Sequence, residues 1–191
     1  MRYDREHKTR THERIVKAAS RQFRAKGLNS PGVASLMKAS GLTHGGFYKH
    51  FRGKEDLVVQ ALEESLNEIC ARMVEATRRG PASEGWKEIV NEYLSVGHLE
   101  HAELGCPIAA LGSEISKAPS GVRKRIAPAL KAYRERLVEF MPGGSKAEKQ
   151  KNFMIIIATM SGAVAMARTL ADPAEGRKVL DAVKEHILKS Y

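Results

Sequence analysis

The chain has 191 residues and a formal net charge of +10, from 32 Lys+Arg against 22 Asp+Glu. That length suits one core of ordinary size or two small domains, and no run of 18 or more apolar residues exists, so no membrane span is expected. Cys70 and Cys106 are the only cysteines, which argues against a disulfide framework, and Met1–Ser20 is too charged for a signal peptide, so a cytoplasmic location is expected.

The charge is uneven. Residues 1–56 hold 13 Lys+Arg against 5 Asp+Glu, and the remainder holds 19 against 17. A solubility charge would be spread evenly, whereas concentrated positive charge gains affinity for phosphates by releasing counterions. Arg2–Arg10 reads as a solvated basic tail. Thr11–Lys26 then carries Ile15, Val16, Ala18, Ala19 and Phe23 at helical spacing, and Gly27 suits a left-handed stop. After the loop Leu28–Gly32, with Pro31 as a start signal, a short helix over about Val33–Ala39 buries Val33, Leu36 and Met37. Gly41 makes the turn, and Thr43 caps a third helix, in which Phe47 and Phe51 share one face and can bury together. Tyr48, Lys49 and His50 are left beside them. A short helix rich in donors and poor in acids suits a polyanion with a groove, and the helix-turn-helix pattern reads as a DNA-binding head.

Lys54-Glu55-Asp56 opens a long helix to Arg78, with both acids where the macrodipole favours them. Ser83–Leu99 is expected as one amphipathic helix. Pro107 starts a helix at about Ile108–Lys117, and Ser120–Phe140 follows, with Pro128 inside it to kink it or cost a hydrogen bond. Ala147–Ala171 is the most apolar run and should be buried on nearly all sides. Ala174–Lys189 closes the chain. The expected fold is all-α, with nine helices: a three-helix head over residues 1–53 and a helical effector-binding and dimerisation domain over residues 54–191. The β-branched run Ile155–Ile157 is the best strand candidate and is rejected because it lies in a longer helical pattern.

Residues Thr11–Leu62, with "RIVKAA…F…KG" and then "GVASLMKASGLTHGGFYKHFRGKEDL", resemble the DNA-binding domain of the tetracycline-repressor (TetR) family of bacterial regulators. "GCPIAAL" at Gly105–Leu111 is similar to one branch of that family. The resemblance implies a ligand-responsive repressor, not an enzyme, that binds a palindromic double-stranded DNA operator as a homodimer and releases it on binding a small-molecule effector. It implies that Tyr48, Lys49 and His50 touch DNA, mostly phosphates, and that Lys54 holds a phosphate at the start of the fourth helix. It also implies a four-helix dimer interface made from Ala147–Ala171, Ala174–Lys189 and their symmetry mates. This sequence has Gly45 and Gly46 where the family often has a larger polar residue.

The candidate DNA-binding residues are Ser35, Thr43, His44, Gly45, Gly46, Tyr48, Lys49, His50 and Lys54. His44 and Tyr48 lie four apart and can face the major groove together, whereas His50 could instead be bonded within the head. Met73, Trp86, Tyr93, His98, Cys106, Tyr133 and Phe153 are candidate lining residues of a ligand pocket, although such side chains are more often plain core. His98-x-x-His101 with Cys106 suggests a metal site, but no spacing supplies a fourth ligand. Cys106 before Pro107 leaves thiol chemistry open against a buried hydrophobe. No metal and no cofactor are expected. A helical small-molecule-binding protein, or a thiol or metal sensor without direct DNA readout, is the alternative.

Overall fold

A computed structural model describes residues 2–29, 32–39 and 44–191, with the side chains of residues 2–5, 33, 39 and 44 also left aside. Nine α-helices occur among the described residues, and no strand: α1 (Arg2–Lys26), α2 (Val33–Ala39), α3 (Lys54–Ala76), α4 (Gly85–Tyr93), α5 (Val96–Glu100), α6 (Pro107–Lys117), α7 (Ser120–Val138), α8 (Lys146–Ala167) and α9 (Pro173–Ser190). The number equals the expected one, but the members differ.

The third helix of the head is a 3₁₀ segment, His44–Lys49. Adjacent Gly45 and Gly46 weaken an α-helix that has no length to compensate, and the tighter winding suits short pieces. The expected helix Ser83–Leu99 is two helices, broken at Leu94–Ser95. Ser95 caps α5 by accepting from the His98 N–H (3.2 Å), while the His98 ring donates from Nδ1 to the Tyr93 carbonyl (2.7 Å). Side chains thus satisfy the backbone groups that the break exposes. The expected basic tail is helical. Helix α1 begins at Arg2, and Glu6 and Arg10 pair one turn apart on its exposed surface (3.6 Å). A helix already anchored by Ile15, Ala19 and Phe23 extends at little further cost. Pro128 lies within α7, which continues through it; both Pro128 and Lys124, whose carbonyl loses its donor, are exposed.

Two apolar cores follow. Under the head, Ile15, Phe23, Leu36, Met37, Phe47 and Phe51 pack with Leu57 and Leu62 of α3 and with Leu111, Val122 and Ile126 of α6 and α7. That core crosses the expected boundary between residues 53 and 54. In the body, α3, α4, α7, α8 and α9 enclose the second core, which includes Ile69, Met73, Trp86, Tyr93, Leu137, Ile156, Met160 and Leu180. Helix α3 joins the two, packing against α1 and α7, while α8 packs along α9. Helix α8 is not enclosed on all sides: Met154, Ile155 and Met166 are 58%, 44% and 58% exposed, and Ala158 and Gly162 lie open between them. Ala158, Gly162 and Met166 recur every four residues from Met154, and Ile155 lies three before Ala158, so the five form one stripe.

No described helix is long and apolar enough to cross a membrane.

Candidate nucleic-acid interface and effector groove

Phe47 and Phe51 set the reading segment. Both are buried, their rings 5.3 Å apart, and the Phe51 and His50 N–H groups both bond the Phe47 carbonyl (3.0 and 2.9 Å). With those anchors inside, Tyr48 is 67% exposed and meets the Phe47 ring edge-on. Lys49 and Gly45 are exposed as well, and a Cβ on Gly45 would meet nothing. His50 is half-buried. Its ring sits 5.9 Å from that of His12 on α1, and its Nδ1 is buried without a partner. Burial, followed by the charges of His12, Lys8 and Lys49, holds its pKa below the usual histidine value.

Lys54 opens α3 beside the segment and reaches the Asn29 carbonyl at 3.4 Å. Asp56 accepts from the Arg52 N–H (3.2 Å) and from Arg125 of α7, which lowers its pKa despite partial burial. Ser35 is exposed on α2. Thr43 and its expected capping bond lie outside the described residues, as does the side chain of His44. Tyr48, Lys49 and His50 lie on or next to the 3₁₀ segment, and Lys54 follows four residues after His50 at the first position of α3. This stretch offers donors and cations to an anion, and the fixed helix start of α3 adds attraction for a phosphate.

The polar interior of the body has a different character. The fully buried Arg24 side chain, at the end of α1, donates to the carbonyls of Ser20 (3.2 Å) and Gly105 (2.8 Å), to Ser20 Oγ (2.9 Å) and to Glu68 (2.6 Å). Ser65 gives its proton to the Ala61 carbonyl (2.7 Å), so Ser20 donates to Ser65 across α1 and α3 (3.0 Å). Arg24 therefore fastens α1 to α3 and to the turn before α6. A second tie lies nearby. Gly27 takes φ 85° and ends α1 as expected, and the Leu28 N–H behind it donates to Glu114 of α6 (2.7 Å).

The seven candidate pocket residues all lie in the body core, each at most 6% exposed. Tyr93 meets His98 edge-on at 4.5 Å and bonds Ser161 (2.8 Å), while Tyr133 meets Phe153 at 6.1 Å and Met73 Sδ (3.7 Å). None of the seven walls the apolar groove between α3, α6 and α7. His98 Nε2 accepts from the Cys106 N–H at 2.8 Å, so the ring is the neutral Nδ1–H tautomer with both nitrogens engaged and has none left for a metal. Burial pushes its pKa down to about 4. His101 is exposed and pairs with Glu103, away from His98. Cys106 is wholly buried, and burial raises its thiol pKa, opposite to the shift that would activate it.

The apolar groove lies one layer away, between α3, α6 and α7. It has a volume of about 310 Å³ and is walled by Leu62, Leu66, Ile108, Ile115, Ile126 and Leu130. Arg123 supplies its one cation, and Ser116 a hydroxyl. Sequence reasoning missed the groove, since Leu, Ile and Arg at helical spacing carry no sign of a gap between helices. It also missed Arg24, whose Gly105 partner is 81 residues away.

Residues 15–61 match the family described as bacterial regulatory proteins, tetR family, and residues 82–183 match the tetracyclin repressor-like C-terminal domain. The HTH-type transcriptional regulator LmrA of Bacillus subtilis is 26% identical over 164 residues, 82% of this chain and 86% of that protein. The transcriptional regulator AcuR of Cereibacter sphaeroides is 27% identical over 131 residues, 67% of this chain and 59% of its own length. The crystal structure of a TetR transcriptional regulator from Chloroflexus aurantiacus has the same fold, with a TM-score of 0.76 at 23% identity over 95% of this chain and 94% of the other.

Proposed function

The chain belongs to the tetR family of bacterial regulatory proteins, a family of DNA-binding transcriptional regulators, and from that premise we propose a ligand-responsive cytoplasmic repressor that grips a near-palindromic operator as a homodimer. One observation carries the reading: the buried Phe47–Phe51 pair pins the 3₁₀ segment so that Tyr48 and Lys49 face outward, and Lys54 opens the helix that follows. Lys49 and Lys54 bind phosphates and set register, while His44 and Tyr48 read base edges. Ser35 and Thr43 add backbone contacts, and Gly45 and Gly46 let the segment approach closely.

The apolar stripe of α8 supports the dimer. Met154, Ile155, Ala158, Gly162 and Met166 present a face that a second copy buries in the two-fold arrangement of the family. Two reading segments then enter successive major grooves about 34–36 Å apart. The groove beside α6 receives the effector, an apolar body with an anionic or hydrogen-bond-accepting end at Arg123. Helix α6 touches both the groove and the Glu114 tie to the head, so a ligand that prefers one setting of α6 shifts the spacing of the two heads by its differential affinity.

Selection of bound fragments from genomic DNA, repeated with amphipathic anions added, tests this reading. A dimer should enrich inverted repeats and release them when an effector is present. A monomer with no preference among fragments at moderate salt would end the proposal. Reporter expression from a recovered fragment separates repression from activation.

A further inference from the structure

Helix α1 and the reading segment enclose a polar notch of about 400 Å³, lined by Lys8, Thr9, His12, Lys49 and His50. Three of these, Lys8, Thr9 and His12, precede residue 15, where the match to the family's DNA-binding domain begins. They are available because α1 starts at Arg2 and carries Lys8 and His12 one turn apart on the face toward the segment. His12 is held in place: its ring stacks on Phe51 at 4.6 Å, and its Nε2 bonds Gln60 Oε1 at 2.6 Å. His50 faces it across the notch with its buried Nδ1 lacking a partner. Among the described residues the lining holds two lysines, two histidines and no carboxylate. The like charges of Lys8 and Lys49 in one concavity favour an anion between them.

We propose that this notch seats one backbone phosphate of the bound duplex, with Lys8 and His12 of α1 completing a site that Lys49 and His50 begin. The proposal rests on the DNA-binding reading above and adds a contact from outside the family-wide domain. A phosphate here neutralises Lys8 and Lys49 by charge and takes a hydrogen bond from a histidine nitrogen.

Proton linkage follows. Burial, His12, Lys8 and Lys49 lower the pKa of His50 in the free protein. An anion in the notch opposes those neighbouring charges, so binding takes up a proton and affinity rises as pH falls. The groups facing His50 are Lys8 and His12 from α1 and Lys49 from its own segment, while α3 contributes the neutral Gln60. The acids Glu13, Glu63 and Glu64 line the adjoining groove on the other side of His12, among Arg10, Arg14 and Lys17.

The test uses the full-length protein, a 30-base-pair duplex recovered by selection and a scrambled duplex of the same composition, with affinity measured against salt and pH. Lys8→Ala should lower the slope of log K on log salt by about 0.9 on both duplexes, because a phosphate carries no sequence. Lys131→Ala, an exposed change of equal charge on α7, should leave the slope unchanged. The wild type should bind several-fold more tightly at pH 6 than at pH 8, and His50→Gln should lose that gain. If Lys54→Ala lowers the slope while Lys8→Ala and His50→Gln change nothing, the notch is not a phosphate seat and the DNA-binding reading stands. If the wild type binds neither duplex, both fall. Inorganic phosphate alone, followed through the His50 imidazole resonances, should bind only weakly; saturation at sub-millimolar concentration would make this a site for a free anion and overturn the proposal.

Discussion

The two histidine-bearing regions of this chain treat their polar groups in opposite ways. In the body, His98 spends both ring nitrogens on backbone groups, Tyr93 bonds Ser161, and Arg24 reaches four acceptors. Of the orphans outside the reading segment, Arg72 Nε and Arg168 Nη1 each belong to a guanidinium with five donors, and Gln22 Oε1 on α1 is a third. In the head, His50 has a single orphan nitrogen on a two-nitrogen ring, with Lys8, His12 and Lys49 around it and no carboxylate among the described lining residues. Closed polar networks hold helices in place, whereas an open one faces whatever the protein binds. The same residue type therefore has a structural role at His98, while at His50 it keeps a ring nitrogen that the fold leaves unpaired.

Removing a closed group should unfold the chain, and removing an open one should only weaken binding. Arg24→Met is expected to have the largest effect, a loss of roughly 3 kcal/mol in chemical denaturation, since it strands the Gly105 carbonyl and Glu68; the value lies at the low end for a buried pair because a quarter of the Glu68 side chain is exposed. A loss below a few tenths of that would show that Arg24 is not the fastening. Acid comes next. His98 has an ordinary pKa of 6.5 when unfolded and about 4 when folded, so between those values the unfolded chain binds more protons. Stability should be complete above pH 6.5 and decline as pH falls towards 4, by up to about 3 kcal/mol, and His98→Asn should flatten that part of a Tm-against-pH curve. Gly105→Ala places a Cβ 2.6 Å from the His98 ring and should cost about 2 kcal/mol by thermal melting. Lys54→Ala belongs to the open set: the melting curve should stay put while the salt slope of DNA binding drops by about one on every sequence.

The sequence carries the head well because its signals are local. Phe47 and Phe51 are four apart and are buried as that spacing says, and Gly27 takes its left-handed turn. The body is legible as helices but not as a network. The break before α5 depends on a ring nitrogen of His98 reaching back five residues to a carbonyl, and Arg24 finds Gly105 only through the packing of α1 on the turn before α6. Trp86, Tyr93 and Phe153 suggest a pocket by residue type and lie buried in the body core, while a separate groove opens between α6 and α7 over Leu62 and Leu66. Gaps between helices come from tertiary geometry, which no periodicity encodes. Helix α1 extends through Arg2–Arg10 because a packed helix recruits a polar stretch that would not form one alone.

The account rests on the open cations of the head meeting phosphates twice over, once from each copy. Salt dependence of wild-type affinity for a selected duplex measures this most directly. Two heads, each engaging phosphates through Lys8, Lys49 and Lys54, predict a slope of about −5 in log K against log salt. A slope near zero would contradict it.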